Sequence, residues 1–443
     1  MPGILVHTHR INIAKNTCWA HLQGITMQYV HAPISQAQHF YGNTDPVSVI
    51  EEYGSPLYIY NETILRQHCR EMKNLISYPH MVVTYSMKAN SNLALLKIVR
   101  DEGLSVDTMS PGEMYVALQA GFTPDQILYV SNNVSAKEMQ FAIEHQIMVS
   151  VDSVSQLERY GKLNPGGDVT VRFNPDVGAG HHAKVVTGGK KTKFGVQRTF
   201  INDVKAILKR YNLRLVGVNQ HIGSLFMDSA PYLESIESLL SIAAQFEDLE
   251  FVDFGGGFGI PYRKQEGEQR LDLKALGHML DHTFEQWVAE YSKKITFKIE
   301  PGRYIAAECG ILLGTVHAVK HNYDRKYIGT DLGFNVLMRP ILYNSHHDIE
   351  IYRSTDQPSS TQETVYVVGN ICETGDIMAQ NRTLPEIFEG DILGVMDAGA
   401  YSFSMCSNYN NRLRPAEVLI REDGNVVLIR KRDSLEDLVR NFV

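Results

Sequence analysis

Eight short apolar or β-branched runs recur between residues 81 and 299, each followed by a polar turn and a helix-like stretch. They are Met81–Tyr85, Leu104–Val106, Ile127–Val130, Ile147–Val151, Val169–Phe173, Leu213–Val218, Leu249–Val252 and Ile295–Ile299. The stretches between them carry helix-start signals. Ser110 precedes Pro111 and Ser135 precedes Ala136–Glu144; a serine hydroxyl caps free N–H groups and a proline ring suits the first helical position. Strands alternating with helices imply parallel pairing, because a parallel connection must cross over. Eight such units within Tyr58–Arg303 match the count and length of a closed (β/α)8 barrel. A doubly wound open sheet would accept the same strands, but the residues at the strand ends separate the two. Lys88, Asp107, Asn132, Asp152, Arg172 with Asn174, His221, Asp253 and Glu300 with Arg303 follow the successive runs. A barrel gathers functional groups at the ends of all its strands, whereas an open sheet concentrates them near one switch point.

After Cys309 the helical period stops. Ile311–Val319, Tyr327–Gly329, Ile349–Arg353, Thr364–Val368, Ile392–Met396 and Glu417–Ile420 read as strands, with polar turns between them that include Ser354–Thr361. The expected organisation is therefore an α/β chain: a disordered leader over 1–26, a segment over 27–55 that adds to the β domain, a (β/α)8 barrel over 56–308 and an all-β domain over 309–443. The leader holds one Arg, no Ser and no acidic residue, which fits a transit segment poorly; an over-extended start with Met27 as first residue is the other reading. The net charge of −8, with no dense basic run, argues against nucleic acid or an anionic membrane as partner. The most apolar stretch, Ile305–Val319, is broken by Glu308 and falls short of the ~18–20 residues needed to span a bilayer. Five scattered cysteines without metal spacing suit a reduced, cytoplasmic setting.

Several strand-end residues carry chemistry. Lys88, in Tyr85–Asn90, sits where partial desolvation would make an amine nucleophilic enough for Schiff-base chemistry; a lone lysine on a loop is by default only a surface residue. Gly255-Gly256-Gly257-Phe258-Gly259 lets backbone amides approach a phosphate, and barrels often place one after the seventh and eighth strands. Its spacing is not that of a dinucleotide fingerprint. In Glu300-Pro301-Gly302-Arg303 a carboxylate can keep a ring nitrogen protonated and a guanidinium can fork onto phosphate or carboxylate; a rim ion pair explains either alone. His221 can stack on a flat ring and Ser224 can bond a phosphate. His181-His182 is no metal pair, since adjacent side chains point apart and a third ligand is missing. In the β domain, the Cys372 thiol can deliver a proton and Glu373 can hold an ammonium. Arg339 with Tyr343 and the run Asp397–Tyr401 complete the set, although each suits an ordinary turn or strand.

In this order and spacing the motifs resemble the fold-type III pyridoxal-phosphate decarboxylases, the alanine racemase-like barrel family, and within it those acting on diaminopimelate. The resemblance runs from about His39 to the C-terminus and includes Val106–Glu113, Arg172–Pro175, Lys193-Phe194-Gly195, Asp331–Tyr343, Gly369–Asp376 and Asp397–Asn410. It implies pyridoxal 5'-phosphate on Lys88. The cofactor cradle it implies is Asp107, His221, Ser224, Gly255, Gly256, Gly257, Glu300, Pro301, Gly302, Arg303 and Tyr401. Substrate contacts would be Arg303, Arg339, Tyr343, Glu373 and Tyr401, with Lys88, His221 and Cys372 catalytic. It further implies a homodimer whose Cys-Glu pair reaches the partner's barrel, and conversion of meso-2,6-diaminopimelate to L-lysine and CO2 as the last step of lysine biosynthesis. Ser86, Met87 and Pro111 depart from the usual family residues at positions around these roles. The alternatives are decarboxylation of ornithine, lysine or arginine, a relative that has lost catalysis and regulates a partner, and an alanine racemase, against which the Cys372-Glu373 and Gly255–Gly259 runs speak.

Overall fold

The structure, a computed structural model, describes residues 33–443 apart from 131, 179, 181, 183, 185, 190, 191, 292 and 354–360. The expected leader 1–26, the first part of the 27–55 segment, most of the Ser354–Thr361 turn and His181 lie outside the described residues.

The first strand, β1 (Leu57–Asn61), leads into helix Glu62–Lys73. Eight parallel strands follow: β2 (Met81–Ser86), β3 (Ser105–Thr108), β4 (Ile127–Val130), β5 (Met148–Val151), β6 (Asp168–Arg172), β7 (Arg214–Asn219), β8 (Phe251–Asp253) and β9 (Thr296–Ile299). They form a closed barrel in chain order, sealed where Met81 of β2 faces Phe297 of β9. The expected runs are all barrel strands. Their apolar character follows from burial on both faces, by the lumen and by the surrounding helices. Leu128, Val130, Val216 and Phe251 form a second apolar cluster with Met109 and Met148 against them, separate from the main core. The helices start as their caps dictate. The Ser110 hydroxyl accepts from the Glu113 amide at 3.2 Å with Pro111 in the first turn, and Ser135 and Glu138 form a reciprocal capping box.

The β domain comprises β10 (Gly310–Asn322), β11 (Arg325–Thr330), β12 (Ile349–Tyr352), β13 (Gln362–Val368), β14 (Ile377–Pro385), β15 (Ile392–Val395), β16 (Ala416–Ile420) and β17 (Val426–Arg430). Their order is β14-β13-β11-β10-β1-β16-β17, with β15 pairing β10 and β12. The chain boundaries differ from expectation in one place. Strand β1, expected inside the barrel span 56–308, sits at the heart of this second sheet, antiparallel to β10 and parallel to β16. All five of its residues are buried and a helix follows it, so locally it is indistinguishable from a barrel βα unit. The described part of the 27–55 segment adds to the β domain by packing on its sheet as helices. It forms helices Ile34–Ala37 and Pro46–Tyr53, tied to the sheet by Ser35 to Glu350 and by Tyr41 to Tyr352.

The two domains are bolted together by buried charge. The Lys264 ammonium bridges Glu308 at 2.7 Å and Asp397 at 2.6 Å, and Arg270 also pairs with Glu308. Burial alone would raise the Glu308 carboxyl, yet Lys264, His68 and Arg270 hold it down to about 2. The bolt fixes the turn that starts at Asp397 and ends at Tyr401, both with positive φ. The Tyr401 amide then donates to Ala89 O at 2.7 Å, which carries the β domain to the mouth of the barrel.

Candidate active site

Lys88 is carried on a single 3-10 turn, Met87–Ala89, directly after β2. Its side chain is 34% exposed and its Nζ lies 3.9 Å from Asp107 Oδ2 at the end of β3. Asp107 is fully buried and accepts from the Ser86 hydroxyl at 3.0 Å. Burial pushes the Lys88 amine down, but Asp107, Tyr401 and Glu300 together outweigh burial and raise it. Desolvation was expected to favour the neutral amine; the carboxylates favour the ammonium instead.

The buried carboxyl groups of the upper barrel include Asp107, Asp253 and Glu300. Burial raises all three, Asp253 to about 6 and Glu300 well above its ordinary value, the latter helped by Asp253 and Asp107. Opposite them stands Arg172 from β6, its guanidinium 4.6 Å over the Phe194 ring. Asp107 Oδ1, Asp253 Oδ2, Glu300 Oε1 and Arg172 Nη2 are buried without a hydrogen-bond partner among the described residues. Such orphaned atoms cost about 1–3 kcal/mol each and mark a site shaped for a polar guest.

The glycine run packs backbone on backbone. A Cβ on Gly256 would lie 1.9 Å from Glu300 O, and Gly255 and Gly257 have positive φ. Two of the amides are already engaged: Gly255 N–H donates to Asp253 Oδ1 at 2.9 Å and Gly256 N–H to His221 Nδ1 at 3.1 Å. The His221 imidazole is therefore neutral, with its proton on Nε2, and burial followed by Lys88 and Arg172 holds it well below its usual pKa. Gly257 N–H has no partner among the described residues. Nearby, Arg303 Nη2 donates to the Ser224 hydroxyl at 2.8 Å and Nη1 to the Tyr262 hydroxyl at 2.9 Å, while the Tyr401 ring lies 4.9 Å from the guanidinium. Pro301 O accepts from the Ser86 amide, and Gly302 is pressed on Ser86 so closely that a Cβ would meet it at 2.9 Å. The ends of β2 and β9 are thus tied together under Lys88.

Arg339 is 1% exposed, and its guanidinium lies 4.5 Å from the Tyr262 ring, on a residue that also meets Arg303. Its Nη1 donates to His347 Nε2 at 2.8 Å, since His347 Nδ1–H is committed to Met396 O at 2.7 Å. Burial brings Arg339 down to about 10, so it is charged at neutral pH. Among the described residues neither Arg303 nor Arg339 has a carboxylate partner. Tyr343 ends the short helix Arg339–Tyr343 with its ring 6.0 Å from His182.

Cys372 and Glu373 stand apart, on an exposed turn between β13 and β14. The Cys372 amide donates to Asn410 Oδ1 at 2.8 Å and the Tyr409 hydroxyl donates to Glu373. No hydrogen bond or ion pair joins either residue to the barrel mouth of the same chain among the described residues. Tyr262 and His347 were not visible as site residues in the sequence, because their only signal is contact with partners distant in the chain, and Tyr409 and Asn410 lay within the Asp397–Asn410 run without a role of their own.

A model of the family described as pyridoxal-dependent decarboxylase, pyridoxal binding domain, matches residues 62–307. The diaminopimelate decarboxylase of Methanothermobacter thermautotrophicus is 44% identical over 409 residues, covering 90% of this chain and 94% of that protein. That of Escherichia coli K12 is 35% identical over 403 residues, covering 88% and 94%. The crystal structure of diaminopimelate decarboxylase from Helicobacter pylori complexed with L-lysine aligns with TM-score 0.81 at 30% identity, over 89% of this chain and 98% of that one. The chain is a pyridoxal-phosphate-dependent carboxy-lyase on a (β/α)8 barrel. Within that class it belongs to the diaminopimelate decarboxylase family.

Proposed function

We propose that this chain decarboxylates meso-2,6-diaminopimelate to L-lysine, with active sites shared between the subunits of a homodimer. The observation that carries the substrate is the pair of buried guanidiniums, Arg303 and Arg339, both against Tyr262 and without carboxylate partners among the described residues. Burying an uncompensated cation costs several kcal/mol, and a ligand carboxylate or phosphate relieves it. Diaminopimelate has a second amino-acid end; ornithine, lysine and arginine have no distal carboxylate.

The residues fit pyridoxal phosphate on their own chemistry. Lys88 is the amine for its aldehyde carbon, with Asp107 beside it. Glu300 would hold the ring nitrogen protonated, the neutral His221 imidazole would be a stacking partner for the ring, and Pro301 and Gly302 would complete the cradle. Gly257 N–H, Ser224, Arg303 and Tyr401 would hold the phosphate, while the Gly255 and Gly256 amides are engaged within the turn itself. When bound, the cofactor supplies an electron sink for the pair left at Cα as CO2 departs. Arg339, Tyr343 and Arg303 orient the distal end of the substrate. Cys372 then delivers a proton from Sγ to Cα and Glu373 holds the distal ammonium.

The substrate reading is tested by paired assays on the purified protein. The kcat/KM for meso-diaminopimelate is expected to exceed that for ornithine by roughly 10⁴-fold, the scale on which a polar site rejects a substrate that leaves its groups unpaired. Faster ornithine turnover would overturn it. Shared sites are tested by mixing Lys88→Ala with Cys372→Ala, each nearly inactive alone. If Cys372 serves the partner's barrel, random reassortment leaves one intact site in half the dimers. About one quarter of wild-type activity should return. No recovery after verified subunit exchange would place Cys372 with its own barrel or outside catalysis.

A further inference from the structure

One carboxyl of the upper barrel has no place in the scheme above. Asp253 ends β8 fully buried, with Oδ1 committed to the Gly255 amide at 2.9 Å and Oδ2 without any donor. Glu300, 3% exposed, likewise buries Oε1 without a donor. The two residues sit at the ends of the paired strands β8 and β9, and both meet Gly255, whose N–H donates to Asp253 Oδ1 and whose carbonyl accepts from the Glu300 N–H. Two neighbouring carboxylates have no hydrogen to share, so a bond between them requires that one be a carboxylic acid. As two anions they would repel and leave two buried acceptors unsatisfied; a single proton between them removes both costs.

We propose that Asp253 and Glu300 hold one proton between them, and that Asp253 is the donor that positions Glu300 at the ring nitrogen of the cofactor. The placement of Glu300 is set from both ends. Its backbone N–H donates to Gly255 O at 2.9 Å, and Gly256 fits beneath its carbonyl only because it lacks a Cβ. Asp253 therefore holds the glycine turn with one oxygen and Glu300 with the other. The groups facing the pair are Lys298, which opposes Asp253 in the β8–β9 register and rests its amine 3.9 Å from the Phe251 ring centroid, together with Asp107, Lys88, Arg172 and the Tyr232 hydroxyl. Burial raises both carboxyls, which favours keeping the proton. A cation against Glu300 favours the ionised form there, and the proton then rests on Asp253.

This assignment rests on Glu300 facing the ring nitrogen, and the test separates the two. The holoenzyme, labelled with ¹³C at aspartate carboxyls, is measured by infrared spectroscopy at pH 7 and titrated for pyridoxal-phosphate affinity after cofactor removal. Wild type should show a protonated aspartate band that is absent from Asp253→Asn. That variant keeps an acceptor for Gly255 and an N–H for Glu300, so its cofactor dissociation constant should stay within about threefold of wild type. Asp253→Ala should weaken it roughly tenfold to a hundredfold, the range for losing a hydrogen bond to a charged group. Absence of the band in wild type, its persistence in Asp253→Asn, or an Asp253→Asn affinity as poor as that of Asp253→Ala would each overturn the proposal. The wild-type band needs no variant to fold. If Glu300→Ala binds the cofactor as tightly as wild type while the band is present, the role of Glu300 fails and the shared proton stands.

Discussion

Lysine release from meso-diaminopimelate is expected to fall roughly a thousandfold or more in the Lys88→Ala variant, the scale on which loss of a covalent catalytic group is felt. The side chain contributes little to the core, since it is partly exposed at the barrel mouth and meets Asp107 only at 3.9 Å. The fold should therefore survive, with Asp107 losing its nearest cation and becoming easier to protonate. Two measurements check this together. Thermal unfolding should change little, and borohydride treatment should fix the cofactor to wild type but not to the variant. Undiminished activity would remove Lys88 from catalysis. Failure of wild type to retain cofactor would instead favour the reading of a relative that has lost its chemistry.

How far the sequence carries can be read at particular residues. Barrel strands such as Val169–Phe173 were legible because a parallel strand buried on both faces is a continuous apolar run, and their ends because polar residues there have no core role. Strand β1 was misplaced because Leu57–Asn61 has the same local pattern; only its pairing with Leu312 and Val418, hundreds of residues away, assigns it to the second sheet. Strand β14 escaped because it is an edge strand with Gln380, Asn381 and Arg382 in its middle. At the site, Ser86 looked like a bystander in the sequence, yet its hydroxyl bonds Asp107 and its backbone meets Pro301. The Gly255–Gly257 run was expected to offer its amides to a phosphate; two of the three are taken by Asp253 and His221. Tyr262 has no motif of its own and is defined by the two arginines that meet it.

Those two arginines support the second large effect, in Arg339→Met. Arg339 is buried and charged, and its partners among the described residues are the neutral acceptor His347 and Tyr262. Removing a buried charge that lacks a counter-ion is often neutral or stabilising, against which stands the loss of one hydrogen bond at His347. Methionine fills much of the same volume, so the melting temperature should stay within about 3 °C of wild type. Catalysis should respond very differently. If Arg339 reads the distal carboxylate, the kcat/KM for meso-diaminopimelate should fall roughly a hundredfold to a thousandfold, mainly through KM, because a charge-assisted bidentate contact is lost in a dry site. Any residual turnover of ornithine, which has no such carboxylate, should be nearly unchanged, so the preference between the two substrates narrows by the same factor. An equal fall on both substrates would mean that Arg339 acts on the common amino-acid end or on the cofactor. A steep loss of thermal stability would mean that its partners are structural.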